Sequence, residues 1–223
     1  MKDGVVAVRL MTESDIRAVS AVRVTGWQAA YRGMVPQAYL DALSVEADAV
    51  MRRERFRQSG DTITNLVATD AENEVAGWAC IGPYRGSDVA EPAAGELYAI
   101  YVKPSLIGTG VGRELIHAAH RHAAARGFRT MRLWVLRDNA RARRFYERAG
   151  YAPDGGTKED DFSGAPVTEV RYRITVDRRG PDIPRALLGA GGTLAELAAE
   201  QLARRRLRQV GNDLDAARVL VRG

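Results

Sequence analysis

Glu96-Leu97-Tyr98-Ala99-Ile100-Tyr101-Val102-Lys103-Pro104 is followed, after two residues, by Ile107-Gly108-Thr109-Gly110-Val111-Gly112-Arg113. The first run is rich in aromatic and β-branched residues and is closed by a proline, which makes it the clearest strand in the chain. The second places glycines at 108, 110 and 112 ahead of a helical pattern over 110–126 that Gly127 terminates. Glycines in such a turn let the backbone approach a ligand closely, and the unsatisfied N–H groups of the helix start point at it. A pyrophosphate is the natural guest. A P-loop would need Gly-Lys-Ser/Thr, and a dinucleotide fingerprint would need its third glycine one residue after Gly112 and an acid about 20 residues further on. Neither fits, and a tight turn at a helix start is the plain structural alternative.

Upstream, residues 4–10 predict a strand. Thr12-Glu13-Ser14-Asp15 predicts a helix start, with a hydroxyl and an acid three residues later. Ile16, Val19, Val22, Trp27 and Tyr31 recur at roughly helical spacing, and Pro36 opens a second helical segment running through Tyr39, Leu40 and Leu43 towards Phe56. Strands at 62–69 and 75–81 flank a hairpin at 70–73. Downstream, strand 131–136 precedes a helix over 139–149, and strands at 151–158 and 167–175 follow. The expected order is βααβββαβαββ: an α+β domain over residues 1–175, with a mixed, mostly antiparallel sheet flanked by helices.

Residues 176–223 differ. They contain no aromatic residue, are dominated by Ala, Leu and Arg, and predict a basic C-terminal extension, helical or partly disordered. The chain holds 30 arginines, three lysines and a net charge of +5, spread along its length. That modest excess suits an anionic small molecule better than a nucleic-acid groove, which would interleave basic and aromatic residues. No apolar run approaches the ~20 residues of a membrane span, and no signal core follows Met1, so a cytoplasmic location is expected. A single cysteine, Cys80, excludes an internal disulfide framework and a cysteine-built metal site. His117, His120 and His122 read as a helix surface, and no metal is expected.

Glu96–Val102, Pro104, Gly108–Gly112, Asn139 and Phe145-Tyr146-Glu147-Arg148-Ala149-Gly150-Tyr151 together resemble the GNAT superfamily of N-acetyltransferases. The resemblance spans about 4–175 in element order and is most specific over 96–151. It implies acetyl-CoA, with no metal, in a V-shaped gap between strands 96–102 and 131–136. It implies that Ile100, Tyr101 and Val102 form the edge along which the pantetheine chain pairs, and that Gly108, Thr109, Gly110, Val111, Gly112 and Arg113 hold the pyrophosphate. It further implies that Asn139 contacts the cofactor and that Tyr146 protonates the departing thiolate. The family's loop usually begins with Gln or Arg, where this chain has Ile107; the backbone donors survive and a side-chain contact is lost.

Acetyl transfer to an amine requires a neutral amine, a polarised carbonyl and a proton for the thiolate. Glu96, at the start of the cofactor strand, is the candidate base, and a solvated strand-end charge is its structural alternative. Trp27 and Tyr31 are candidate walls of the acceptor pocket or core aromatics. Asp160 and Asp161 read as a solvated turn. The expected function is acetyl transfer to a primary amine, first of a small molecule and second of a protein N-terminus or lysine, with a possible homodimer. A non-catalytic acyl-CoA-binding module is the rival class.

Overall fold

The computed structural model describes residues 7–87, 91 and 93–176. Of these, 7–84, 91 and 93–176 form one compact unit. Arg85, Gly86 and Ser87 belong to a second unit and carry no helix or strand. The predicted C-terminal extension lies outside the described residues, apart from Val176.

The elements are β1 (Ala7–Leu10), α1 (Ile16–Ala30), α2 (Gln37–Asp41), α3 (Val45–Ser59), β2 (Thr64–Thr69), β3 (Val75–Pro83), β4 (Ala94–Val102), α4 (Val111–Ala125), β5 (Thr130–Leu136), α5 (Ala140–Arg148), β6 (Ala152–Phe162) and β7 (Ala165–Thr175). The sheet runs β1-β2-β3-β4-β5-β7-β6, and only the β4–β5 pairing is parallel. The α+β class and mostly antiparallel sheet are as expected. The order differs by one helix. Ser44 accepts a hydrogen bond from the Ala47 N–H at 3.3 Å and starts a new helix, so the segment opened by Pro36 is two helices rather than one. The last hairpin is also longer than predicted. Asp160 and Asp161 belong to β6, and the turn falls at Ser163-Gly164, both at positive φ (56° and 87°).

Thr12 heads a 3-10 turn, Glu13–Asp15, that runs directly into α1. The Thr12 N–H donates to Asp15 Oδ2 at 2.8 Å, and Arg9 clamps the same carboxylate at 2.7 and 2.8 Å. That clamp holds the Asp15 carboxyl at about 2, below the usual carboxylate range.

Each face of the sheet carries its own core. On one side α4 buries Leu115, Ile116 and Ala119 against Leu66, Ala79, Leu133 and Tyr172. Gly77 permits that approach, since a Cβ there would stand 2.8 Å from Leu115 Cδ1 and 2.9 Å from the Tyr101 carbonyl oxygen. On the other side Ile16, Val19 and Val22 of α1 and Ala49 and Phe56 of α3 pack against Val67, Trp78 and Cys80. Between these helices the buried Asp48 is held by Arg23 at 2.6 Å and Arg52 at 3.0 Å, and Arg52 lies 4.1 Å from the Trp78 ring centre. Removing one partner of such a buried pair is costly. Among the described residues no helix is long and apolar enough to cross a membrane, and no cluster of three or more His, Cys, Asp or Glu could hold a metal ion.

Candidate active site

The parallel strands stay together briefly. β4 and β5 pair only over Ala94–Glu96 and Thr130–Arg132. From Leu97 onward β4 leaves its neighbour, while β5 continues alongside β7 to Leu136. A β-bulge lies at the point of departure: Leu97 pairs with Ile81 and Ala99 with Cys80, leaving Tyr98 as an extra residue. Side-chain packing records it, because Tyr98 and Ala99 both face the α1 side, between Leu97 and Ile100 on the α4 side. A bulge bends its strand and increases the local twist, which separates β4 from β5.

Backbone alternation then assigns the free edge. The Lys103 N–H donates to the Ala76 carbonyl at 2.9 Å, so Tyr101 and Lys103 turn their peptide groups to β3. The peptide groups of Ile100 and Val102 turn into the gap.

That edge leads into the glycine loop. Gly108 and Gly110 have φ of 93° and 100°, the left-handed region where a Cβ is strained. The first N–H of this turn bonded back into it from α4 is that of Glu114, on Gly110 O at 3.1 Å; Val111, Gly112 and Arg113 precede it, as donors at a helix start do. Gly112 also brings α4 against α5, where an added Cβ would lie 3.3 Å from Phe145. Arg113 is exposed and touches Glu114 at 3.3 Å.

α5 enters from the α4 side. Asn139 caps it, its Oδ1 accepting from the Ala142 N–H at 3.0 Å. Tyr146 packs its ring against Phe145 and Tyr151, at centroid distances of 5.3 and 6.0 Å. Burial pushes its phenol above the ordinary range, and the neighbouring Tyr101 hydroxyl adds to the effect. His120 is not a surface histidine: its Nε2 meets the Tyr151 hydroxyl at 3.1 Å, and burial with the nearby His117 lowers it to about 4.

The other side of the gap is aromatic. Trp27 meets Tyr31 edge-on at 4.7 Å and Phe162 at 5.9 Å, and Tyr39 meets Phe162 at 5.4 Å. Leu136 and Val167 belong to the same cluster, as do the buried Val35 and Leu40. The Tyr31 hydroxyl lies 3.5 Å from that of Tyr101, so α1 reaches the edge of β4. Glu96 sits at the apex, the last β4 residue paired with β5, and is only 2% exposed. It is therefore a buried carboxylate rather than a solvated strand end.

Glu96, Ile100, Tyr101 and Val102 thus line the parting of β4 from β5, with Tyr31 and Trp27 on the α1 side, Tyr146 on the α4 side and the 108–113 loop beyond Val102, while Asn139 is placed only as the cap of α5. Sequence reasoning missed Tyr39, Phe162, Lys158, Trp134 and Glu169, which reach the same region from α2 and the far strands. The Ser163-Gly164 turn, which folds β6 back on β7, is the signal for Phe162, Lys158 and Glu169; Tyr39 and Trp134 carry no such signal.

Comparison with known proteins agrees with this architecture. Residues 27–151 match the family model described as Acetyltransferase (GNAT) family. The chain is 31% identical over 162 residues to the uncharacterized N-acetyltransferase YuaI of Bacillus subtilis (strain 168), across 73% of this chain and 87% of that protein. Among solved structures it resembles the PaiA N-acetyltransferase of Thermoplasma acidophilum in complex with coenzyme A, at a TM-score of 0.56 and 21% identity, covering 76% of this chain and 98% of that one. It also resembles YncA of Salmonella typhimurium, solved with acetyl-CoA, at a TM-score of 0.57 and 18% identity, covering 80% and 99%. A sheet parted by a bulge, a glycine turn at a helix start and the match across 27–151 lead to one assignment: the chain belongs to the GNAT family of acetyltransferases.

Proposed function

We propose that this protein transfers the acetyl group of acetyl-CoA to a primary amine of a small molecule, by direct attack within a ternary complex. The observation that carries the reading is the separation of β4 from β5 after Glu96, which leaves the peptide edge of Ile100 and Val102 running into the α4 N-terminus. An extended pantetheine arm can pair with that edge as an added strand would. A pyrophosphate suits the N–H groups and the positive dipole end of α4, with Arg113 as a charged partner and Asn139 beside the thioester arm. Two of the solved relatives were crystallised with coenzyme A or acetyl-CoA, which supports the same ligand here.

The amine nitrogen attacks the thioester carbonyl carbon, the carbon–sulfur bond breaks, and the thiolate leaves with a proton. Tyr146 supplies that proton. Its raised pKa keeps the phenol protonated and ready to donate. Glu96 takes the proton lost by the amine, directly or through a water, from the apex of the gap. The Ile100 peptide N–H stabilises the negative charge that develops on the carbonyl oxygen.

The test is an acetyl-CoA consumption assay across a panel of small primary amines and peptides, with mass detection of the product. An acetylated small amine is the expected result. Acetylation of peptides alone would move the assignment to a protein acceptor, and tight acetyl-CoA binding without any product would leave a binding module.

A further inference from the structure

Lys158, Glu169 and Leu136 stand side by side across β6, β7 and β5. Leu136 and Trp134 share one sheet face, on the stretch of β5 that β4 has already left. On that face the Lys158 ammonium lies 2.9 Å from Glu169 Oε2 and 4.7 Å from the centre of the Trp134 ring. A carboxylate and an indole face are two groups that together favour an alkylammonium. The Lys158 side chain is 45% exposed and that of Glu169 17%, so the cation is the more accessible partner. Arg171, 5.4 Å from the same ring, is neutralised by Asp154 at 2.8 Å.

The surroundings suit the rest of an acceptor molecule. Leu136 belongs to the cluster of Trp27, Tyr31, Tyr39, Phe162 and Val167. Glu169 also acts electrostatically on the hydroxyls of Tyr31 and Tyr101, which places it near the gap as well as near the indole.

We propose that Glu169 and the Trp134 indole form the seat of the acceptor's ammonium group, that Lys158 occupies this seat until an acceptor displaces it, and that the acceptor is a primary amine on an aromatic or apolar body. The inference rests on the acetyl-transfer reading for its substrate role. The seat itself is a binding claim that can be measured without turnover. Glu169 is here a specificity residue: it draws in the ammonium, which gives one proton to water as it moves to the thioester, and Glu96 takes the second proton released on attack.

The experiment uses the full chain with 2-phenylethylamine and its uncharged analogue 2-phenylethanol, read by calorimetric titration and by acetylation kinetics. Glu169→Gln should raise the amine's Kd and KM at least tenfold, leave kcat within about threefold, and leave the affinities for acetyl-CoA and 2-phenylethanol unchanged. Lys158→Met keeps the stem, removes the competing ammonium, and should lower the amine's KM severalfold. A purely structural ion pair would instead shift the thermal midpoint in both variants without separating amine from alcohol. Unchanged amine affinity in Glu169→Gln overturns the seat. If that variant fails to fold, an unchanged or raised KM in Lys158→Met does so. Amine binding that depends on Glu169 without any acetylated product would sustain the seat and sink the acetyl-transfer reading.

Discussion

The hydroxyls of Tyr31 and Tyr101 meet at 3.5 Å, tying the end of α1 to the free edge of β4. Burial raises the pKa of both phenols, so both remain neutral donors at ordinary pH. The contact puts the proposed acceptor wall and the proposed cofactor edge within one hydrogen bond of each other, the proximity a direct transfer requires.

Tyr146→Phe keeps the ring against Phe145 and Tyr151 and removes only the hydroxyl. Turnover should fall about 10²-fold, with thermal midpoint and acetyl-CoA affinity little changed. Because burial holds the phenol protonated, the loss should be constant between about pH 6 and pH 9. Near-normal kcat would make Tyr146 a packing residue and water the proton source.

Arg113→Glu separates ligand binding from helix stability by sign. An acid in the first turn of α4 complements the helix dipole and should stabilise the fold by about 0.3–1 kcal/mol. A pyrophosphate at the same place would be repelled, and acetyl-CoA affinity should fall about tenfold, less at high salt. Calorimetric titration beside a melting curve reads both, and unchanged affinity would remove the pyrophosphate from this loop.

Asp15 sets an acid limit on stability. Its folded pKa of about 2 lies below an unfolded value of about 3.9. Its contribution is therefore complete above pH ~4 and is lost as the pH falls towards 2. Asp15→Asn, which leaves Arg9 without its carboxylate, should cost about 1–3 kcal/mol at pH 7 and flatten the melting profile in that window.

His120 works at a higher pH, with its pKa also depressed. Folded, it protonates at about 4, whereas unfolded it protonates near 6.5. Between those values the unfolded chain takes up a proton that the folded protein refuses, so stability declines as the pH drops. His120→Gln can keep a hydrogen bond to Tyr151 and should melt with a shallower slope from pH 6.5 to 4. An unaltered slope would mean that His120 is readily protonated in the fold.

Much of this was legible in the sequence where local chemistry and tertiary structure agree. The strand ending at Pro104, the glycines at 108 and 110, and Asn139 heading its helix are local signals, and each is found in place. The break at Ser44 was hidden because α2 is only five residues long, too short to show a period of its own. The far end of β6, residues 159–162, escaped because it lies on an edge strand whose exposed, charged residues read as a turn. His120 was misread because its partner, Tyr151, lies 31 positions away in the chain. The aromatic cluster and the Lys158–Glu169 pair were invisible for the same reason, being joined only when the last hairpin folds back beside β5.

The bulge at Tyr98 makes the cleft a matter of chain length. β4 carries one residue more than β3 can match, and that surplus is where the strand turns aside. Removing Tyr98 would leave Leu97, Ala99, Ile100, Tyr101 and Val102 in unbroken alternation, each still on its present face. The strand would then have no reason to bend and could stay paired with β5 beyond Glu96. Substitution at 98 changes a side chain; deletion there would close the door on the cofactor.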